Sequence, residues 1–299
     1  MPAAASSAPA DHLAAYAAWL LRQPLSAHTR RAYRVQVAQY CAYLAATPVA
    51  YGDPLREPHA RDYAVRDYKT YIKTVRRAKP RTVNLALAAI DHFYRFLGAG
   101  RPAVGREELP QQAPRALDTT EQRQFVRAVE RCPSPRDRAV ALLLFYTGLR
   151  ISECAALDLD DVPRSERKGL VIVRTGKGNA YREVPLNAPV RKALDAWATE
   201  RRKRFTASHD PALFLTRQGN RLSARAIDLL VRRLSRAAGV ELSAHTLRHT
   251  WVTNLVRQGT DLVVVAELAG HKRLETTRRY SLPSLQDRIA ALEALAVED

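Results

Sequence analysis

The sequence predicts a two-domain, mainly α-helical protein that contains one small β-hairpin. Three observations predict it. Residues 11–98 carry apolar side chains at helical spacing, residues 99–116 are rich in glycine and proline, and apolar side chains alternate on both sides of residues 175–179. We therefore expect an all-helical domain, a linker, and a mixed but mostly helical second domain.

Four helices are expected in the first domain, after a frayed tail over residues 1–10. The first helix ends before Pro24, and Ser26 can cap the second. The third covers about residues 62–77, and the fourth runs from Pro80 to a stop at Gly98. The apolar positions that predict the core are Leu13, Tyr16, Ala17, Leu20, Leu21, Tyr33, Val37, Tyr40, Leu44, Leu87, Ile90, Phe93, Tyr94 and Leu97.

The second domain is expected to start at residue 117. Thr119 and Gln122 have the spacing of a capping box for a helix through residue 131. Residues 138–146 are apolar all round, which predicts a buried helix that ends at Gly148. Arg150 then begins the next helix, where free N–H groups favour an anion.

The rest of this domain, through residue 283, is predicted from the same periodicities. Two strands are expected at 170–174 and 180–184, a short extended piece at 213–215, and helices at 188–205, 223–237, 245–258 and 261–269. A last helix, within residues 284–299, carries one apolar stripe formed by Leu285, Ile289, Leu292 and Leu295.

The charge and the cysteines restrict the class of protein. A formal net charge of +18 predicts a polyanionic partner, and nucleic acid fits best. No amphipathic segment concentrates the charge, and no apolar run approaches the length of about 20 residues that spans a bilayer, so we expect no membrane partner. Cys41, Cys132 and Cys154 are isolated in sequence, which indicates reduced thiols in the cytoplasm rather than disulfides or a zinc ribbon.

A set of six residues could cleave a phosphodiester without a metal ion. Arginines are permanently charged forks that match phosphate oxygens, and a tyrosine can hold a phosphoryl group covalently. The set is Arg150, Lys177, His245, Arg248, His271 and Tyr280, with eight residues between His271 and Tyr280.

Three other interpretations compete with this one. The Gly176-Lys177-Gly178 loop lacks the Ser or Thr and the earlier glycine of a P-loop. His245 and His249 have the spacing of a helical zinc site, but Thr246 stands where that pattern needs glutamate, so His249 is expected to pack or to support the site. Tyr181 is the alternative nucleophile, although no matching motif surrounds it.

The order of these motifs resembles the tyrosine recombinase (phage integrase) family, and within it the compact Xer-type recombinases. The resemblance covers residues 117–281 and, more weakly, 11–97. It implies a helical core-binding domain (11–98) and a catalytic domain (117–283) that form a clamp around DNA. It further implies a covalent 3′-phosphotyrosyl intermediate and no cofactor.

The resemblance also implies a role for each residue. Arg150 and Arg248 would neutralise the scissile phosphate, and His245 and His271 would add hydrogen bonds. Lys177 would protonate the leaving 5′-oxygen, and Tyr280 would attack. The phosphate contacts of the first domain are expected from two basic groups, Arg30, Arg31 and Arg34 in one and Lys79 and Arg81 in the other.

The implied partners are a double-stranded recombination site and further copies of this chain in a tetramer, with a paralogous recombinase as an alternative partner. Residues 284–299 would make the contact between protomers. A type IB topoisomerase-like enzyme and a DNA-binding regulator are the alternatives. Arg278-Arg279 before Tyr280 and Ser-Leu-Pro after it depart from the Xer pattern, which leaves both chromosome dimer resolution and a mobile-element role open.

Overall fold

The computed structural model describes residues 9–47, 52–109, 115–174, 181–206, 210–271, 274–278 and 280. The chain divides into two compact units, residues 1–110 and residues 111–299. Within the described residues of either unit, no helix combines the length and the apolar character needed to cross a membrane.

In the described part of the N-terminal unit, all regular secondary structure is helical. Its helices run over Pro9–Leu21 (α1), Ala27–Ala46 (α2), Pro58–Thr74 (α3) and Pro80–Phe96 (α4). Helix α4 packs against the other three, and its buried face carries Leu87, Ile90 and Phe93. The hydroxyls of Tyr40 and Tyr94 share a hydrogen bond of 2.7 Å, so the two phenols satisfy each other inside the core.

Two details of this unit differ from the prediction. Leu21 is 70% exposed, because it lies 100° round the helix from buried Leu20 and outside the narrow buried face of α1. Helix α3 begins at Pro58 rather than near residue 62, because proline is favoured in a first turn, where its missing N–H has no intrahelical partner. Ser26 caps α2 as predicted, since its Oγ accepts from the N–H of Thr29.

Residues 101–109 carry no regular structure, yet they are attached to the N-terminal unit. The side chain of Asn84 exchanges two hydrogen bonds of 2.8 Å with the backbone of Glu107. The Glu107 carboxylate accepts from Lys69 and Lys73 at 2.8 and 2.9 Å. The first part of the predicted linker is therefore held on helices α3 and α4.

The described part of the C-terminal unit is mostly helical and contains a two-stranded sheet. Its helices run over Thr119–Glu130 (α5), Pro135–Thr147 (α6), Ile151–Ala156 (α7), Ala188–Arg204 (α8), Ala224–Ala238 (α9), Ala244–Arg257 (α10), Leu262–Ala269 (α11) and Leu274–Arg278 (α12). Helix α6 is enclosed by α5, α8, α9 and α10, which explains why apolar residues occur all round it.

The sheet joins Leu170–Val173 (β1) to Arg182–Pro185 (β2) in antiparallel register. Val171 faces Val184, and Val173 faces Arg182. The side chains of all four are buried, so β2 points an arginine and a valine into the same interior.

The predicted cap of α5 is wrong by one residue. Asp118, not Thr119, is the N-cap, because its carboxylate accepts from the N–H of Glu121 and the Glu121 carboxylate accepts in return from the N–H of Asp118. Gln122 instead donates to the carbonyl of Leu117. An acidic residue at both positions completes the reciprocal capping box.

Candidate active site

The turn after α6 sets the position of Arg150. Gly148 ends the helix with a left-handed backbone, φ 60°, and a Cβ there would lie 2.2 Å from the ring of Trp251. Arg150 follows as the N-cap of α7, and its guanidinium donates to Glu153 at 2.7 Å and to the carbonyl of Gly270 at 3.1 Å. With 34% of its side chain exposed, Arg150 can meet a ligand from solvent.

Arg248, on α10, is almost fully buried beside Arg150. Its two terminal nitrogens donate to the carbonyls of Gly148 and Ala269. Burial and then the charge of Arg150 lower the pKa of Arg248 to about 10, so the guanidinium is still cationic at neutral pH. The two arginines thus reach the carbonyls of adjacent residues, Ala269 and Gly270, at the end of α11.

His271 and Tyr280 lie beyond the same helix end. Gly270 terminates α11 with φ 62°, and His271 follows it directly. The His271 Nδ1 lies 2.8 Å from the Thr277 hydroxyl, and its ring is nearly parallel to that of buried Tyr280, with centroids 6.2 Å apart. Burial, followed by the charges of Arg248 and other nearby arginines, lowers the pKa of His271 to about 4. Its imidazole is therefore neutral at physiological pH.

Helix α10 brings two further histidines to the tyrosine. His245 and His249 are one turn apart, and their rings meet edge to face with centroids 4.3 Å apart. Nδ1 of His249 forms a hydrogen bond with the Tyr280 hydroxyl. The sequence predicts a packing or supporting role for His249, and the structure adds a direct contact with the hydroxyl of the predicted nucleophile.

A buried ion pair supports Arg150. Arg182, on β2, donates to both oxygens of Glu153 at 3.1 and 2.7 Å, and its Nε donates to the carbonyl of Leu268. Burial alone would raise the pKa of Glu153, but the hydrogen bonds from Arg182 and Arg150 lower it to about 2. Glu153 therefore remains an ionised carboxylate that accepts hydrogen bonds from both Arg150 and Arg182.

Arg182 is not among the site residues predicted from the sequence, although the sequence carries a signal for it. Arg182 and Val184 share one face of β2, and both are buried. An arginine in the apolar register of a strand must find a buried acceptor. The acidic residue that follows Arg150 by three positions, Glu153, is that acceptor.

Comparison with known proteins identifies the chain. Residues 115–285 match the model of the phage integrase family, and residues 13–99 match the family's N-terminal SAM-like domain. The chain belongs to the phage integrase family. The chain is 31% identical to the tyrosine recombinase XerC of Pseudomonas syringae pv. tomato over 91% of each chain. It is 36% identical to XerC of Pseudomonas aeruginosa over 88% of this chain and 89% of the relative.

Solved structures of other recombinases share the fold. The complex of XerH with its difH substrate before cleavage matches with a TM-score of 0.70 and 20% identity, over 90% of this chain and 80% of that one. A lambda integrase dimer bound to a COC′ core site matches with a TM-score of 0.66 and 14% identity, over 91% of this chain and 76% of that one. The predicted family and the predicted mainly helical fold class are confirmed.

Five of the six predicted catalytic residues lie in described parts of the chain. Arg150 and Arg248 donate to carbonyls at the end of α11. His271 follows that helix end, and its ring lies beside the ring of Tyr280. The ring of His245 contacts the ring of His249, which is hydrogen-bonded to Tyr280. Lys177 lies outside the described residues, and its role stays a prediction. Tyr181 is exposed, and its hydroxyl donates to Glu183.

The predicted DNA contacts of the N-terminal unit lie on two helix starts. Arg31 and Arg34, on α2, are exposed, whereas Arg30 is half-buried and donates to the carbonyl of Leu21 at 2.8 Å. Lys79 is the N-cap of α4, and Arg81 follows in its first turn; both are exposed. These two groups stay predictions for phosphate contact.

Proposed function

We propose that this chain is a site-specific recombinase, which cleaves and rejoins duplex DNA through a covalent 3′-phosphotyrosyl intermediate. The reaction would resolve chromosome dimers or integrate and excise a mobile element. The observation that carries the proposal is the convergence of Arg150, Arg248, His271 and Tyr280 at the end of α11. Two cations beside a buried phenol suit an attack on a phosphodiester.

The two arginines hold and neutralise the scissile phosphate. Arg248 is cationic and largely desolvated, so its charge acts at low local dielectric. Arg150 completes the pair from the solvent side. Loss of one such charge-stabilising donor lowers a cleavage rate by about 10²–10³-fold.

The histidines and the lysine assist this displacement. If Nδ1 of His271 accepts from the Thr277 hydroxyl, the ring proton is on Nε2, where it can donate to a phosphate oxygen. His245 supplies a second hydrogen bond from α10. Lys177 protonates the leaving 5′-oxygen, because an alkoxide needs a proton to depart.

Cleavage and rejoining proceed without a metal ion or ATP. The residue set already supplies the cations and the acid, and the phosphotyrosyl bond conserves the energy of the phosphodiester. The partners are a duplex recombination site and further copies of this chain, or a paralogue. The recombinases found as relatives favour this reaction, and they do not favour the type IB topoisomerase alternative.

The domains divide this work. Residues 11–98 contact the DNA backbone through the two basic groups on α2 and α4. Residues 117–283 carry the chemistry, residues 99–116 connect the two domains, and residues 284–299 contact a neighbouring protomer. The excess of basic residues supports DNA as the partner.

A nicked suicide substrate tests the chemistry. Wild-type protein should form a covalent adduct on such DNA in the presence of EDTA, and Tyr280→Phe should bind the same DNA with no adduct, because only the attacking oxygen is missing. Gel-shift and denaturing gels report the two properties. An adduct formed by Tyr280→Phe would refute the assignment of the nucleophile, and a loss with EDTA that magnesium or zinc reverses would refute metal independence.

A further inference from the structure

We propose that His249 is a catalytic residue, the base that accepts the Tyr280 proton during cleavage and returns it during rejoining. This role rests on the function proposed above. The geometry points to it because Nδ1 of His249 is hydrogen-bonded to the hydroxyl that would attack phosphorus. The two rings are tilted by 44° with centroids 5.4 Å apart, so the contact is made by the ring nitrogen and not by the ring face.

A tyrosine hydroxyl needs such a base. The pKa of a phenol is about 10, so very little phenolate exists at neutral pH, and the neutral oxygen is a weak nucleophile. A histidine within hydrogen-bond reach is the usual acceptor. His249 is fixed on the rigid helix α10, directly after Arg248, so the proton acceptor and a phosphate cation share one backbone segment.

The other two histidines are less suited to this task. The ring of His271 lies nearly parallel to that of Tyr280, and its Nδ1 pairs with Thr277. Its burial among arginines makes its protonated form unfavourable. The rings of His245 and His249 meet edge to face, and it is His249 whose ring nitrogen is hydrogen-bonded to the Tyr280 hydroxyl. His245 and His271 are therefore left to donate hydrogen bonds to the phosphate, while His249 takes the proton.

The proposed proton transfers are reversible, so the same residues serve cleavage and rejoining. In the tautomer with its proton on Nε2, His249 accepts the phenolic proton at Nδ1 as the bond from the Tyr280 oxygen to phosphorus forms. The bond from phosphorus to the 5′-oxygen breaks, and that oxygen takes a proton from Lys177. Rejoining reverses each transfer: the 5′-hydroxyl gives its proton to Lys177, and the imidazolium of His249 protonates the departing phenolate.

A double substitution separates proton transfer from packing. We would measure single-turnover cleavage of a suicide substrate by wild-type, His249→Phe and His249→Gln proteins, each carrying tyrosine or a ring-fluorinated, more acidic tyrosine at position 280. His249→Phe keeps a ring but lacks both nitrogens, and should cleave about 10²–10⁴-fold more slowly with ordinary tyrosine. Fluorination should restore most of that loss, since an acidic phenol needs less help. DNA binding by gel shift checks that each variant is folded.

His245→Ala is the matched control, because it removes a predicted phosphate ligand one turn away. Its loss of rate should be the same with either tyrosine. A His249→Phe defect that fluorination leaves unchanged would make His249 a packing residue, and wild-type rates in His249→Gln would make it a positioning residue. Faster cleavage by His249→Phe would mean that the hydrogen bond restrains the tyrosine. Each result overturns the proposal, whereas failure of the wild-type adduct would overturn the proposed function itself.

Discussion

Gly148 and Gly239 end helices of the C-terminal unit with nearly the same backbone, φ 60° and 65°. Their surroundings differ. A Cβ on Gly148 would collide with Trp251, and the Gly148 carbonyl also receives Arg248. A Cβ on Gly239 would meet nothing within 4 Å. Alanine variants at the two glycines therefore separate the free-energy cost of a left-handed backbone from the cost of steric crowding.

We predict that Gly239→Ala lowers the free energy of unfolding by about 1–2 kcal/mol, the cost of a left-handed residue with a Cβ. Gly148→Ala should lower the free energy of unfolding by a further ~1–3 kcal/mol, because Trp251 must move. Only Gly148→Ala should also slow DNA cleavage, since it shifts a carbonyl that holds Arg248. Urea denaturation and adduct formation measure both effects, and equal losses in the two variants would contradict the prediction.

Lys177 allows a second prediction at this scale. If it protonates the leaving oxygen, Lys177→Ala should recover cleavage on DNA whose 5′-bridging oxygen is replaced by sulfur, because a thiolate departs without a proton. Comparison of cleavage rates on the two substrates tests this. Equal defects on both would mean that Lys177 binds phosphate and supplies no proton.

At the level of residues, the sequence predicts which residues form the site better than it predicts the contacts between them. The family is predicted from the sequence alone by the order of Arg150, Lys177, His245, Arg248, His271 and Tyr280. The contact of His249 with Tyr280 depends on how the chain folds back after α11, and no local spacing encodes it. The sequence places the capping box one residue too late, because Asp118 and Thr119 are both good N-caps and only the reciprocal hydrogen bonds with Glu121 distinguish them.

At the level of elements, Arg182 connects strand β2 to two helices. It binds Glu153 of α7 and the Leu268 carbonyl in α11, and the Cβ of any other residue at Gly270 would lie 2.9 Å from its guanidinium. The alternation of apolar residues in the sequence predicts strand β2. It could not show that a buried carboxylate 29 residues earlier would pair with Arg182.

We predict that Arg182→Ala lowers the free energy of unfolding at pH 7 by about 3–5 kcal/mol, because it leaves the Glu153 carboxylate buried with fewer partners. Arg182→Lys should recover only part of this loss, since an ammonium cannot donate to both oxygens and to Leu268 in the same planar geometry. Full recovery by lysine, measured by chemical denaturation, would show that the charge alone matters.

The same pair predicts a pH dependence. The pKa of Glu153 in the folded protein is about 2, below its ordinary value of 4.5. Its contribution to stability is therefore complete above pH 4.5 and is lost as the pH falls through that value toward 2. The difference in unfolding free energy between wild-type protein and Arg182→Ala should shrink between pH 6 and pH 3. A constant difference would exclude the ion pair as its origin.

At the level of the molecule, we predict that assembly depends on the helix expected within residues 284–299, which lies outside the described residues. Its apolar stripe is one helix face wide, and a short helix is marginally stable alone, so the stripe must be buried either on its own domain or on a neighbouring protomer. We predict that deleting residues 284–299 leaves single-site DNA binding nearly unchanged and abolishes cooperative binding to paired sites and strand exchange.

Two point variants refine this test. Leu292→Asp changes the stripe, whereas Asp287→Ala changes the opposite side of such a helix. Cooperative gel shifts on two-site DNA should be lost only in the first. Strand exchange by the truncated protein would disprove the contact in trans, and unfolding of that protein would assign the helix to its own domain.

The carbonyls that hold the two arginines belong to helix ends, Gly148 after α6 and Ala269 and Gly270 at the end of α11. Helix ends are the first parts of a helix to fray. If α11 opened locally, Arg150 and Arg248 would lose anchors at the same moment, and Tyr280 would lose its stacked neighbour. A heated or damaged molecule would then stop cutting while most of its core was still folded. For an enzyme that breaks duplex DNA, local unfolding would therefore remove the cleavage activity before the protein unfolds as a whole.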